Sequence, residues 1–100
     1  MIGKYESMIV FAPNLSKEEI ENENKKILNL IAELGGEHIK TDEWGKKQLA
    51  YEINKFREGY YLINYFQLDT SKTFEIERAY RLNEKIIRYN IIKLEAREKE

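Results

Sequence analysis

The chain of 100 residues contains no cysteine and a single histidine. The lack of cysteine excludes disulfides, cysteine nucleophiles and cysteine-ligated metals, and one histidine excludes a metal site built from several imidazoles. Apolar runs are also short. The longest extends from Met8 to Ala12, whereas a membrane-spanning helix needs about 20 apolar residues. The first residues carry no apolar signal-peptide core. We therefore expect a cytoplasmic protein without a metal or other cofactor.

Charge of one sign is not in excess, since 17 Lys and Arg face 18 Asp and Glu, for a net charge of −1. This balance is not that of a strongly basic nucleic-acid clamp, but a near-neutral chain can still carry a local basic patch. Lysine and arginine are concentrated in the second half of the chain. The acidic residues fall mostly at solvent positions of the predicted helices and turns, the sequence has no glycine-rich phosphate-binding motif, and His38 has no partner visible in the sequence. We expect no enzymatic activity.

One folded unit accounts for the length and for the hydrophobic content of 42%. A chain of this size supports a single core and is too short for two independent domains. We expect residues 1–94 to form this domain. The highly charged segment 95–100 is expected to be a short tail that frays.

The pattern of apolar residues predicts the element order β-α-β-β-α-β. Alternation predicts the first strand, a capping box at Ser16 starts the first helix, and Gly35-Gly36 ends it. Gly45 lies inside a long extended segment and indicates a β-bulge. The predicted ranges are strand 2–12, helix 16–34, extended segment 37–53, polar turn 54–59, strand 60–69, helix 70–82 and strand 85–94.

Two strand–helix–strand units of this length predict an α+β fold of ferredoxin-like type. It would have a four-stranded antiparallel sheet with both helices on one face and right-handed crossovers. The other sheet face would then be open, and its occupant would depend on function.

The third strand is rich in tyrosine. The run from Gly59 to Tyr65 is similar to the aromatic signature of RNA-recognition modules, in which aromatic side chains on the open sheet face stack on bases. The match is imperfect at Glu58, where a basic residue is typical, and at Tyr61, where a small one is. The alternative interpretation is that these tyrosines pack against the helices or a protein partner.

A longer resemblance starts at Gly45. The run Gly-Lys-Lys-Gln-Leu-Ala-Tyr-Glu-Ile-Asn, residues 45–54, resembles the signature of the family of bacterial small-subunit ribosomal proteins numbered six. Matching blocks before and after it are Tyr5-Glu6, Pro13-Asn14-Leu15, Gly35-Gly36, Trp44-Gly45, Gly59-Tyr60-Tyr61, Arg81-Leu82-Asn83-Glu84 and Arg88. Glu52 stands where many members have proline, and the C-terminal tail is shorter than in many.

The resemblance implies a βαββαβ fold and a structural role in the small ribosomal subunit without catalysis. It also implies binding to the central domain of 16S rRNA together with small-subunit ribosomal protein eighteen. Two other hypotheses remain open. One is a free-standing module that stacks single-stranded RNA on the open face. The other is a small-molecule-binding or oligomeric regulatory domain, which would need a deep apolar pocket.

Candidate site residues follow from the matched blocks and the basic clusters. Lys and Arg would bind phosphates, Tyr5 would stack on or hydrogen-bond a ribose, and Arg88 within an apolar strand would need a phosphate or carboxylate partner. The candidate RNA contacts are Lys4, Tyr5, Lys46, Lys47, Lys55, Arg81 and Arg88. The candidate partner-protein surface comprises the sheet edge at 37–47 with Trp44, Tyr60, Tyr61 and Tyr65.

Overall fold

The structure is a computed structural model that describes residues 1–94. Four strands and two helices follow one another in the predicted order, and a single 3-10 turn at Thr70–Lys72 leads into the second helix. The elements are β1 (Ile2–Phe11), α1 (Lys17–Glu33), β2 (Glu37–Ile53), β3 (Phe56–Asp69), α2 (Thr73–Leu82) and β4 (Ile86–Lys93). The predicted tail 95–100 lies outside the described residues.

The sheet has the strand order β2-β3-β1-β4, and each neighbouring pair is antiparallel. Ser7 of β1 is the direct partner of Asn64 of β3, so the two side chains point to the same face. Ser7 is hydrogen-bonded to Tyr80 of α2, and Asn64 to Asn24 of α1. Both helices therefore cover one face, which confirms the ferredoxin-like prediction.

The core lies between this helix-covered face and the two helices. Alternation along β1 places Tyr5, Ile9 and Phe11 on the helix side, where all three are buried. From α1, Ile20, Ile27 and Ile31 pack against them, and α2 adds Ile76 and Tyr80. Burying apolar side chains of this size stabilises the fold by about 1.5–3 kcal/mol each.

The ends of α1 form as the sequence predicts. The Ser16 hydroxyl accepts a hydrogen bond from the Glu19 amide at 3.1 Å, and the Glu19 carboxylate accepts one from the Ser16 amide at 2.8 Å. At the other end the Gly35 amide donates to the Ala32 carbonyl and the Gly36 amide to the Ile31 carbonyl. These bonds satisfy backbone groups that a helix end leaves unpaired.

The polar turn predicted over residues 54–59 is wrong in extent. Ile53 pairs with Phe56, so only Asn54 and Lys55 form the turn, at φ of +51° and +70°. Two central residues at positive φ suit the right-handed twist of a two-residue hairpin. Strand β3 therefore begins four residues earlier than predicted, because Phe56 and Glu58 pair with Ile53 and Gln48 of β2.

Gly59 is therefore a strand residue and not the end of a turn. A Cβ atom built on it would lie 2.3 Å from Cγ1 of Val10. Only glycine lets β3 pass Val10 this closely. Val10 itself is fully buried although it lies on the face opposite the helices.

The pairing of β2 with β3 shifts register at three places, between His38 and Lys40, between Glu43 and Gly45, and between Gln48 and Ile53. Gly45 has φ +85°, which confirms the predicted bulge. At the third shift residues 49–52 of β2 stand opposite Arg57 alone. At this place β2 has four residues where β3 has one, so these residues must depart from the regular ladder.

Candidate functional site

The sheet face opposite the helices, called here the open face, carries aromatic side chains along β2 and β3. Trp44 stacks on Tyr61 with ring centroids 6.5 Å apart and an angle of 16° between the rings. Lys40 Nζ lies 4.8 Å from the centroid of the Tyr65 ring, within the range of a cation–π contact. Trp44 is 53% exposed. These four residues form an aromatic surface near the β2 edge, in which Trp44 and Lys40 are exposed and the two tyrosines are half-buried.

Tyr60 does not belong to this surface. It pairs with Phe11 of β1, a fully buried helix-side residue, and packs against the core. Its hydroxyl donates to Oε1 of Glu43 at 2.9 Å. Partial burial and the Glu43 carboxylate raise the pKa of its phenol. The grouping of Tyr60 with Tyr61 and Tyr65 on the open face is wrong, because neighbouring residues of a strand point to opposite faces.

The two signature lysines also point to opposite faces. Lys46 pairs with Tyr60 on the helix side, and Lys47 pairs with Gly59 on the open side. Both are exposed, as is Lys55 in the hairpin turn. The tip of the β2–β3 hairpin thus presents positive charge in more than one direction.

Arg88 lies on the open face, because it pairs with Val10, whose β3 partner is Tyr61. Its Nη1 atom donates a hydrogen bond to the Tyr51 hydroxyl at 3.0 Å, and the guanidinium carbon lies 5.9 Å from the centroid of that ring. The predicted phosphate or carboxylate partner is thus a tyrosine in this structure. No feature of the sequence joins Tyr51 to Arg88, 37 residues apart.

Lys4 and Tyr5 lie at the other end of the sheet. Tyr5 is 6% exposed, and its ring stacks on Phe66 at 5.6 Å. The ring faces are used by the core, so of the two predicted contacts only a hydrogen bond from the hydroxyl to a ribose fits. Lys93, which the sequence did not single out, pairs with Tyr5 across the β1–β4 ladder. With Lys4 and the chain's N-terminus it lines a small cleft of about 180 Å³.

The seven candidate RNA contacts do not form one patch. Lys4 and Val10, the partner of Arg88, are six residues apart on β1, or roughly 20 Å at the rise of a strand. Arg81 is exposed on α2 and belongs to the helix layer. The structure therefore brings Lys47, Lys55 and Arg88 to the hairpin end and leaves Lys4 and Tyr5 at the opposite end.

His38 has a structural partner. Its Nε2 atom lies 2.8 Å from the Thr41 hydroxyl, which donates to Oδ1 of Asn64 at 2.6 Å. Because the Thr41 proton is used toward Asn64, the histidine must be the donor to Thr41. Asn64 in turn donates to Asn24 at 2.7 Å. This chain of bonds ties the start of β2 to α1.

The regulatory-domain hypothesis needs a deep apolar pocket. A cleft of about 490 Å³ opens between α2 and β4, but polar side chains are prominent in its lining, among them Thr73, Glu77, Asn90 and Lys93. Within residues 1–94, no group of three or more His, Asp or Glu side chains could hold a metal ion. No helix in that range is long and apolar enough to cross a membrane.

Comparison with known proteins agrees with this architecture. Residues 4–93 match the family model of ribosomal protein S6. The chain belongs to the ribosomal protein S6 family. The small ribosomal subunit protein bS6 of Thermoanaerobacter pseudethanolicus is 44% identical over 89 residues, which cover 89% of this chain and 94% of that protein. The bS6 protein of Clostridium acetobutylicum is 40% identical over 94 residues, covering 94% and 99%.

A solved S6 structure has the same fold. The crystal structure of 30S ribosomal protein S6 from Thermotoga maritima superposes with a TM-score of 0.92 at 37% identity, covering 99% of this chain and 94% of that one. Membership of the S6 family confirms the resemblance seen in the sequence. It makes the chain a structural component of the small ribosomal subunit in the cytoplasm, not an enzyme.

Proposed function

We propose that this S6 family chain binds the central domain of 16S rRNA together with small-subunit ribosomal protein eighteen. The observation that carries the proposal is a division of the open face. Aromatic residues lie along β2 and β3 near one sheet edge, with Trp44 exposed and Tyr61 and Tyr65 half-buried, and exposed cations lie at the hairpin end and on β4. Two surfaces of different chemistry suit two different partners.

The RNA side of the proposal rests on the cations. Lys47 and Arg88 lie on the open face, and Lys55 lies at the hairpin tip beyond it. Phosphate and shape contacts dominate recognition of folded RNA, so a few well-placed cations suffice despite the net charge of −1. Lys4, on the open face, forms a second point of contact about 20 Å away, whereas the Tyr5 hydroxyl lies on the helix side of the sheet. Lys46 and Arg81 point to the helix side and would serve only if RNA reaches around the hairpin.

The protein side rests on Trp44, Tyr61 and Tyr65. Aromatic residues are enriched at the buried centres of protein interfaces, and Trp44 is half exposed in the free chain. Strand β2 is a sheet edge, a position at which a partner can add a strand or pack side chains. We place protein eighteen on this surface.

The free-standing RNA-recognition module fits the structure less well. Such modules stack bases on aromatic residues of the two central strands. Here the central strand β1 presents Lys4, Glu6 and Met8 to the open face, and its one tyrosine, Tyr5, is buried on the helix side. On β3, Tyr61 is already stacked by Trp44. Within residues 1–94, the two central strands therefore lack the pair of free aromatic platforms that single-stranded RNA needs.

The test is a binding titration with a 16S rRNA central-domain fragment, with and without protein eighteen, at two salt concentrations. We expect salt-sensitive binding that is tight only when both proteins are present. Trp44 is the sole tryptophan, so its emission reports on the protein contact separately, and we expect a blue shift when protein eighteen is added without RNA. Equal binding to any single-stranded RNA, indifferent to protein eighteen, would instead support the free-standing module.

A further inference from the structure

Tyr51 and Arg88 belong to opposite edges of the sheet yet touch. In the order β2-β3-β1-β4 three strand spacings separate β2 from β4, or about 14 Å. The Tyr51 hydroxyl nevertheless lies 3.0 Å from Nη1 of Arg88. In a regular sheet these two groups would meet only if both side chains lay extended across the open face.

The register shift at the hairpin end favours the contact. Residues 49–52 of β2 stand opposite Arg57 alone on β3. The surplus length lets this segment leave the ladder and carry Tyr51 over the open face. Tyr51 is 62% exposed, so the ring is not placed there by burial in a core. Its only described partner is Arg88.

We propose that Tyr51 is a positioning residue that holds the Arg88 guanidinium ready to bind a backbone phosphate of RNA. This inference rests on the rRNA contact proposed above. A guanidinium has five N–H donors, and within residues 1–94 the one hydrogen bond described for Arg88 goes to Tyr51. The remaining donors can bind a phosphate in the bidentate manner that arginine favours.

The benefit of the contact is preorganisation. A free arginine side chain on a surface samples many rotamers and must give up that freedom when it binds. The hydroxyl bond and the ring contact restrict the guanidinium before RNA arrives, on the same face as Lys47. Arg57 and Glu52 line a cavity of about 380 Å³ together with Tyr51, so a further guanidinium lies nearby.

The experiment compares Tyr51→Phe, Arg88→Gln and the double variant in the full chain, with protein eighteen present. Equilibrium binding to the 16S rRNA central-domain fragment is measured over a range of KCl concentrations. Arg88→Gln should raise Kd about tenfold and lower the salt slope by about one unit, as expected for one lost phosphate contact. Tyr51→Phe should raise Kd by roughly three- to tenfold, the range of one lost hydrogen bond. In the Arg88→Gln background it should add nothing.

Two further variants keep the test decisive. Arg78→Gln removes an exposed arginine of α2 in the helix layer and controls for the loss of charge. Arg88→Lys keeps the charge without the planar fork, so it should retain the salt slope while losing roughly three- to tenfold in affinity. It replaces Arg88→Gln if that variant does not fold, as judged by circular dichroism.

A second readout does not depend on RNA. The NMR signal of the Arg88 Nε–H group in the free protein should show increased side-chain motion in Tyr51→Phe and not in Arg78→Gln. If that motion is unchanged, or if Tyr51→Phe binds as wild type while Arg88→Gln is weakened, Tyr51 does not position Arg88. If wild type shows no salt-sensitive binding to the rRNA fragment, the proposed function fails and this inference with it.

Discussion

At the residue scale, Glu23 is the buried charge that the fold must accommodate. Its side chain is 6% exposed, and its carboxylate accepts hydrogen bonds from Asn83 at 2.9 Å, Lys85 at 3.1 Å and Lys26 at 3.2 Å. Burial by itself raises the pKa of this carboxyl, but the three donors outweigh it and the pKa lies below the usual 4.5. The carboxylate thereby fastens α1 to the turn between α2 and β4.

Glu23→Gln should destabilise the protein in a pH-dependent way. Because the folded pKa is lowered, the carboxylate contributes its full stability above the unfolded value near 4.5, and that contribution is lost as pH falls through the folded pKa. At pH 7 we expect the variant to lose about 1–3 kcal/mol of unfolding free energy. Urea unfolding at pH 7 and at pH values below 4.5 measures the difference, which should shrink at the acid end.

The matched control is Glu21→Gln, an exposed carboxylate on the same helix. It should change stability by less than about 0.5 kcal/mol. A deficit of Glu23→Gln that stays constant from neutral to acid pH would show that lost packing, not lost charge, destabilises the variant.

At the element scale, the irregularities of β2 decide where its side chains point. Each register shift moves the following residues relative to β3, and a shift of one residue exchanges the two faces. The bulge at Gly45 follows Trp44, which stacks on Tyr61 across the open face. The shift after Gln48 frees the segment that carries Tyr51. A regular hairpin of the same composition would therefore present a different surface.

The bulge can be tested by substituting Gly45. A Cβ atom built there meets nothing within 4 Å, so any loss of stability comes from the backbone at φ +85° and not from a clash. Valine is β-branched and strongly disfavoured at positive φ, whereas asparagine tolerates it. We expect Gly45→Val to be less stable than Gly45→Asn by about 1–2 kcal/mol in urea unfolding. Equal stabilities would mean that the bulge does not depend on this backbone angle.

At the scale of the whole molecule, different regions of the sheet carry side chains of different chemistry. Lys47, Lys55 and Arg88 lie at the hairpin end, the aromatic surface lies near the β2 edge, and Lys4 lies at the opposite end of the sheet. An elongated outline of 39 × 30 × 20 Å lets these regions contact separate parts of an assembly. RNA and protein eighteen would then bind side by side on one molecule.

Lys46 and Lys47 provide a test of which face meets RNA. Lys47→Ala should lower the salt slope of rRNA binding by about 0.7–0.9, the effect of one phosphate contact, because it shares the open face with Arg88. Lys46→Ala should have the smaller effect. Lys17→Ala, on the exposed start of α1, controls for the change in net charge. A larger effect at Lys46 would move the RNA to the helix side.

The accuracy of the bounds predicted from the sequence differs between elements. The capping box at Ser16 and the end of α1 at Gly35 are local signals, and α1 lies within one residue of its predicted bounds. The bounds of the hairpin turn are predicted less accurately. The predicted polar turn 54–59 combines the two turn residues Asn54 and Lys55 with residues that belong to β3. The pairing of Phe56 with Ile53 is a ladder contact that composition does not reveal.

The sequence by itself determined the element order, the fold class, the Gly45 bulge and the S6 family, since each rests on periodicity or on short motifs. Only the tertiary structure decided that Tyr5 is buried, that Tyr60 faces the helices, that Lys46 and Lys47 diverge, and that Tyr51 meets Arg88. The physical reason is that a side chain's face depends on register, and register depends on bulges and on partner strands distant along the chain.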